Sequence, residues 1–328
     1  MQWDIGLDFG ETGVRLATQK KGVALCSPSY GALRGDELLA IGDSALQMLG
    51  RNPKGVRVEK PVTSGMLSQP RLAAQWLTQM IGPFIPAGRL SRPALALTDT
   101  GYFKLSEKEM LVAAAMEAGA QAVGWIDHAL VSAVGADMPV MRPKGRMAVC
   151  VGAGVLSASL ISYGRIVHSE RLPWGAGRID HDIIHQVRSQ AGFSIGERTA
   201  EEIKLSIASA LPGWDMKMQV TGLDMKGGFP AEKEISSAVI EPAVQPLVDA
   251  LATLILCCAG HAPEELSADL FDEGVTLVGG GALLSGLDQV LQKKTGLPVA
   301  ACETPELATV KGLAKVLQDP ALSELIRH

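Results

Sequence analysis

The sequence predicts an α/β fold made of two related domains. Short apolar runs alternate with helical patterns along the whole chain. A strand, a Gly-rich turn and a second strand occur near the N-terminus and recur near the middle of the chain. A further Gly-rich turn, Gly279-Gly280-Gly281, lies between a strand pattern and a helix pattern.

The elements follow in order. Trp3–Asp8 reads as a strand ending in the turn Gly10-Glu11-Thr12-Gly13, and Val14–Ala17 as its returning partner. Pro93–Thr98 is a second apolar strand. Ser106 and Glu109 have capping-box spacing ahead of a helix over Met110–Ala118, which Gly119 stops. Ala122–Ile126 reads as a strand and Ala129–Val134 as a helix. Lys144-Gly145 reads as a hinge, after which the opening pattern returns: strand Met147–Val151, turn Gly152-Ala153-Gly154, strand Val155–Ser162. Gly274–Val278 is a strand, and a helix is expected over Ala282–Thr295. Pro263 suits the first turn of the preceding helix.

Composition narrows the function classes. The 328 residues are 47% hydrophobic and 20% charged, which fits a well-buried globular chain. The formal charge of −5 and the lack of a dense Lys/Arg run argue against a nucleic-acid partner. Five cysteines, an odd number without CxxC spacing, read as reduced thiols in a cytosolic protein. Met1-Gln2-Trp3-Asp4 opens no basic-then-apolar pattern, so no secretory leader is expected. Leu247–Ala259 is the most apolar stretch; Asp249 interrupts it, and it reads as a buried helix too short to span a bilayer.

The Gly-rich turns carry the chemistry. Glycine lets backbone N–H groups approach phosphate, and a neighbouring carboxylate such as Asp8 can hold magnesium through water. The wording around them resembles the MreB family of bacterial actins. Ile195-Gly196-Glu197-Arg198-Thr199-Ala200-Glu201-Glu202-Ile203-Lys204 and Gly279-Gly280-Gly281-Ala282-Leu283-Leu284-Ser285-Gly286-Leu287-Asp288 match its pattern, as does Thr295-Gly296-Leu297-Pro298-Val299. Met48–Pro53 and Gly135–Val140 are further similar stretches, so the likeness covers nearly the whole chain.

The resemblance implies an actin-like two-lobed α/β fold, with duplicated core domains around a nucleotide cleft. One lobe would be residues 1–143 plus 306–328, with a small insertion near 30–64. The other would be 144–305, with an insertion near 178–240. ATP or ADP with Mg2+ is the implied cofactor. Gly10, Glu11, Thr12 and Gly13, with Gly152, Ala153 and Gly154, would face the β- and γ-phosphates. Gly280, Gly281, Ala282 and Leu283 would hold the base and α-phosphate side, and Glu201, Glu202, Ile203 and Lys204 the adenosine end. Read on its own spacing, the Glu201–Lys204 run is rather a solvated helix face; its matched flanks favour the nucleotide role.

Departures from the family pattern gather at the phosphate end. Glu11 replaces a usual Thr, and a carboxylate beside a triphosphate costs on the order of 4 kcal/mol per charge pair at about 4 Å. Cys150 replaces an Asp, and Val155 and Leu156 replace hydroxyl residues. A thiol is a poor magnesium partner; on a strand it reads first of all as a small core residue. His128 stands where the family has a water-positioning carboxylate, in catalysis or as a hydrogen-bonded structural histidine.

The expected function is therefore an actin-like scaffold acting in cell shape, with ATP hydrolysis weak or lost. Partners implied are the chain itself in a head-to-tail filament, other MreB-type subunits and inner-membrane shape proteins. The setting is the cytoplasm, with peripheral contact at the inner face of the plasma membrane. Phe84, Ile85 and Leu90 lie on a Pro-stiffened loop that either dips into the membrane or packs inward. Alternatives are an active ATPase filament using other residues, a non-polymerising adapter that co-assembles with a standard MreB, and a small-molecule kinase on the same fold.

Overall fold

In the computed structural model the described residues are 2–85 and 92–327. The chain forms two compact units: Met1–Arg142 with Tyr163–Arg165 and Leu307–His328, and Pro143–Ser162 with Ile166–Glu306.

The first unit opens with β1 (Ile5–Phe9), β2 (Gly13–Thr18) and β3 (Gly22–Pro28). A small sheet follows from β4 (Gly31–Arg34), β5 (Glu37–Ile41) and, after the one-turn helix α1 (Asp43–Leu46), β6 (Val56–Glu59). The hairpin β7 (Val62–Thr63) and β8 (Met66–Leu67) leads into α2 (Pro70–Ile81). Strand β9 (Ala94–Asp99), helix α3 (Leu105–Glu117), strand β10 (Ala122–Asp127) and helix α4 (His128–Gly135) complete it, with the C-terminal helix Ala308–Gln318. The main sheet has the order β10-β9-β1-β2-β3, with β9 and β10 parallel to β1 and the β1–β2–β3 meander antiparallel.

Strand alternation places the site. Ile5, Leu7 and Phe9 of β1 pack with Leu72, Trp76 and Leu77 of α2, and the Phe9 ring meets Trp76 edge-on at 6.3 Å. Gly6 and Asp8 therefore lie on the opposite face. A Cβ on Gly6 would stand 3.0 Å from Leu313 Cβ of the C-terminal helix. That helix also crosses α4 at backbone contact. A Cβ on Gly135 would overlap the Ala308 carbonyl oxygen, and one on Gly312 the Val131 carbonyl oxygen.

In this unit one expected helix cap lies elsewhere, and Phe84 and Ile85 take the inward arrangement of the two expected. The helix α3 starts at Leu105, so its capping carboxylate is Glu107, which accepts the Lys104 backbone N–H at 2.9 Å, in place of the Ser106/Glu109 pair. Phe84 and Ile85 are half-buried and pack against the unit's core, so neither side chain forms an exposed apolar tip. Their own hydrophobicity is satisfied there. Leu90 lies outside the described residues.

The second unit repeats the plan. Strands β11 (Arg146–Val151), β12 (Leu156–Ser162) and β13 (Arg165–Leu172) precede α5 (Gly177–Ala191). Next come β14 (Phe193–Ser194), α6 (Glu197–Ile207), β15 (Lys217–Asp224) and β16 (Pro230–Ser236), whose three strands form a separate sheet. Helices α7 (Ser237–Gly260) and α8 (Glu264–Glu273) lead to β17 (Val275–Val278), α9 (Leu287–Thr295) and β18 (Val299–Ala301). The main sheet runs β13-β12-β11-β17-β18.

Helix α7 is longer than its apolar stretch suggests: 24 residues, enough by length and composition to cross a membrane. Its buried face, including Leu247, Val248, Leu251 and Ile255, lies in the core of the second unit. The helix expected over Ala282–Thr295 is broken. A 3₁₀ turn spans Gly280–Leu283, and α9 starts only at Leu287 because Gly286 takes a left-handed conformation (φ 68°). Pro263 sits just ahead of α8 as its N-cap.

Gly312→Ala should lower the unfolding free energy by about 1–3 kcal/mol or more, since the added methyl meets rigid backbone. Chemical denaturation against the unmodified chain measures this. An unchanged midpoint would mean that α4 and the C-terminal helix separate without cost.

Candidate functional site

In the first unit the β1–β2 hairpin builds a tight turn. Gly10 N–H donates to the Gly13 carbonyl at 3.1 Å, and a Cβ on Gly10 would approach that oxygen to 2.7 Å. Asp8, just before the turn, is 2% exposed. Its Oδ1 accepts the Thr98 hydroxyl at 2.8 Å, and its Oδ2 lies 3.6 Å from Arg15 Nη1. Asp8 and Arg15 are direct cross-strand partners. Nη1 also donates to the Gly13 carbonyl at 3.3 Å.

Glu11 is turned to other partners. Its Oε2 accepts the Ser64 backbone N–H at 2.7 Å, and its Oε1 lies 3.7 Å from Lys60 Nζ. The repulsion expected of this carboxylate is therefore largely offset within the unit. Thr12 is exposed, and its carbonyl accepts the Ser29 N–H at 3.1 Å.

His128 is the first residue of α4, whose N-cap, Asp127, accepts the N–H groups of Ala129 and Leu130. The imidazole Nε2 lies 3.2 Å from the Thr309 hydroxyl and 4.0 Å from Asp8 Oδ1. Thr309 in turn pairs with the Ser132 hydroxyl at 2.8 Å. The C-terminal helix thus supplies the group that holds His128, a link no local sequence signal announces.

In the second unit the turns at Gly152–Gly154 and Gly279–Gly281 stand at the ends of the neighbouring parallel strands β11 and β17. Gly279 (φ 88°) donates to the Pro305 carbonyl at 2.7 Å. A Cβ on Gly279 would come within 2.7 Å of the Val151 carbonyl oxygen, so this approach requires glycine. The carbonyls of Gly152 and Ala153 accept N–H groups of Ala176 and Gly177 at 2.9 and 3.0 Å. A Cβ on Gly281 would come within 2.5 Å of Val151 Cγ1 at this junction, whereas one on Gly280 would meet only Glu306 at 3.9 Å; Ala282 is buried and Leu283 is exposed. Cys150 is buried at the end of β11, opposite Ser157.

Along α6 the four implicated residues divide. Ile203 is fully buried with Ala200 and Ile207, so its side chain belongs to the core and not to a ligand surface. Glu202 pairs with Arg198 one turn back at 3.3 Å, and Glu201 is exposed. Lys204 Nζ binds Asp180 Oδ2 of α5 at 2.8 Å. Burial raises the Asp180 carboxyl above its ordinary value of 3.8, with Lys204 pulling the other way, and Oδ1 has no hydrogen-bond partner.

The implied magnesium does not fit these donors. In the first unit, Asp8 is sealed from water by a hydroxyl on one oxygen and a guanidinium on the other. In the second, the available side chain is a buried thiol, followed by the apolar Val155 and Leu156. A small hard cation needs several oxygen ligands and keeps its own waters. Both Asp8 oxygens are thus occupied by partners of the protein's own, Thr98 and Arg15.

Two five-stranded sheets, each opened by an antiparallel meander with a Gly-rich first turn, define an actin-like fold. The sequence profile described as MreB/Mbl protein matches residues 2–324, and the chain belongs to that family. It is 32% identical over 305 residues to the cell shape-determining protein Mbl of Bacillus subtilis, covering 92% of each chain. It is 31% identical over 325 residues to the cell shape-determining protein MreB of Escherichia coli K12, covering 96% of this chain and 93% of that one. Among solved structures, MreB5 of Spiroplasma citri bound to ADP superposes with a TM-score of 0.90 at 26% identity, covering 98% of this chain and 97% of that one. The MamK double helical filament shares the fold at 15% identity and a TM-score of 0.79, over 96% and 98% of the two chains.

Lys204→Met should destabilise the protein by about 3 kcal/mol, because it leaves the Asp180 charge buried and unpaired. Adding Asp180→Asn should restore most of the loss. A carboxyl whose folded-state value is raised contributes most below pH 3.8 and loses that contribution as pH rises through the folded value. The Lys204→Met protein should therefore recover stability on acidification, and a deficit independent of pH would rule out Asp180 as the cause.

Proposed function

We propose that this chain is a cytoskeletal scaffold of the MreB type that acts in cell shape, assembles head to tail and holds ATP or ADP with weak or no hydrolysis. The observation that carries the reading is His128. It occupies the position that the family resemblance gives to the water-positioning carboxylate, and its Nε2 faces Thr309 and Asp8. Phosphoryl transfer depends on positioning and charge compensation. An imidazole held by a hydroxyl does not bring the negative charge of the carboxylate that it replaces.

The nucleotide part draws on the likeness to MreB5, which is bound to AMPPNP in one structure and to ADP in another. The implied contacts are the backbones at Gly10–Gly13 and Gly152–Gly154 for phosphates, Gly280–Leu283 for the base side, and Glu201, Glu202 and Lys204 for adenosine. Assembly draws on the relatives' role in cell shape and on the filament formed by MamK, a protein of the same fold. Other MreB-type subunits and inner-membrane shape proteins are the proposed partners, in the cytoplasm at the inner face of the membrane. Phe84 and Ile85 pack inward, so these partners are proposed to bring the chain to the membrane without those two side chains.

Calorimetric titration of ATP with phosphate release followed in the same sample tests the nucleotide reading. Binding with release indistinguishable from a protein-free control is expected; brisk turnover would overturn the role given to His128. Sedimentation at rising protein concentration should show a threshold above which the chain pellets. A chain that stays in the supernatant alone, and pellets only with a standard MreB, would be an adapter instead.

A further inference from the structure

The side chain over the first phosphate turn is a cation of the protein's own. Arg15 faces the same side of the sheet as Asp8, its cross-strand partner. Its guanidinium lies across both turn glycines. A Cβ on Gly10 would stand 3.4 Å from Nη1, and one on Gly13 would stand 3.6 Å from both Cζ and Nη2. A Cβ at either position would only touch the guanidinium in ordinary van der Waals contact, so the side chain lies directly against the turn. Only Nη1 is engaged, by Asp8 and the Gly13 carbonyl; Nη2 and Nε join no hydrogen bond or ion pair among the described residues. The side chain is 22% exposed, so part of it reaches solvent.

We infer that Arg15 takes the place of a divalent metal as the counter-charge for phosphate at the Gly10–Gly13 turn, so that nucleotide binds without metal. The inference rests on the nucleotide reading above and deepens it. A guanidinium presents a planar fork of donors that matches phosphate oxygens and is charged at every physiological pH. Asp8 would act as a positioning residue: by fixing Nη1 it aims Nη2 and Nε outward. Lys60, 3.7 Å from Glu11 Oε1, sets a cation beside the competing negative charge of the same turn. The compensation is one fixed positive charge rather than two mobile ones, and no chelator can withdraw it.

The experiment titrates ADP and ATP into the full chain, once with magnesium chloride and once with excess EDTA. The expected result is affinities within about threefold of each other, and a loss of about 10–100-fold in Arg15→Leu, the range of a charge-assisted hydrogen bond. Arg15→Lys should retain part of the affinity in EDTA, and its melting curve guards against a folding defect. Binding that requires magnesium would overturn the inference and leave the nucleotide reading standing. No binding under either condition would overturn both. Metal-independent binding unchanged by Arg15→Leu would place the counter-charge elsewhere and overturn the role of Arg15.

Discussion

A carboxylate that is 2% exposed needs compensation, and Asp8 organises much of the first unit through that need. It sits on β1 between two neighbours of opposite kind. From β9 comes the Thr98 hydroxyl, and from β2 the Arg15 guanidinium. Its position on the sheet face opposite Trp76 follows from strand alternation, so the same period that builds the apolar core delivers the charge to the other side. The C-terminal helix then covers that face. Gly135 and Gly312 let it cross α4 at backbone distance, which brings Thr309 to His128 and Ser132. Local glycines thus set a polar chain that runs from Ser132 through Thr309 and His128 to Asp8.

The second unit solves the corresponding problem differently. The end of β11 carries no charge, since Cys150 stands there and is buried. The turn is fixed by its own backbone instead: the Gly152 and Ala153 carbonyls are taken up by the start of α5, and Gly279 closes against Val151. The charged pair of this unit, Asp180 with Lys204, lies between α5 and α6 and has one unsatisfied oxygen. A group held at that cost is a sensitive reporter of its surroundings, which is why its titration follows the fate of Lys204.

Much of the fold was legible because it rests on short-range signals. The repeated strand, Gly-rich turn and strand show through alternation and glycine placement, both confined to a few residues. Long-range pairing leaves no such trace. Arg15 looks like an ordinary charged residue between Val14 and Leu16 until the hairpin register sets it against Asp8. Glu11 reads as a repulsive intruder until Lys60, just after β6, and Ser64, in the β7–β8 turn, are brought to it. Resemblance misplaced Ile203, where helical spacing with Ala200 and Ile207 was the better guide. The expected helix over Ala282–Thr295 failed at Gly286, whose positive φ breaks the run between two helical patterns.

The substitutions at the phosphate end gain meaning when taken as pairs. Glu11 alone would repel phosphate, and Arg15 alone would leave a guanidinium seeking an anion. With Lys60 beside Glu11 and Asp8 beside Arg15, each added charge is met within its own unit. A turn built this way keeps its shape without an ion from solution. The opposing consequence concerns strength. A guanidinium already shared with Asp8 offers phosphate less net charge than a divalent ion would, so under the role inferred for Arg15 binding would gain independence from metal and give up some electrostatic pull. For an enzyme that trade weakens catalysis, because charge building up in the transition state has less to meet it. For a scaffold it costs little, since the nucleotide then needs only to be held.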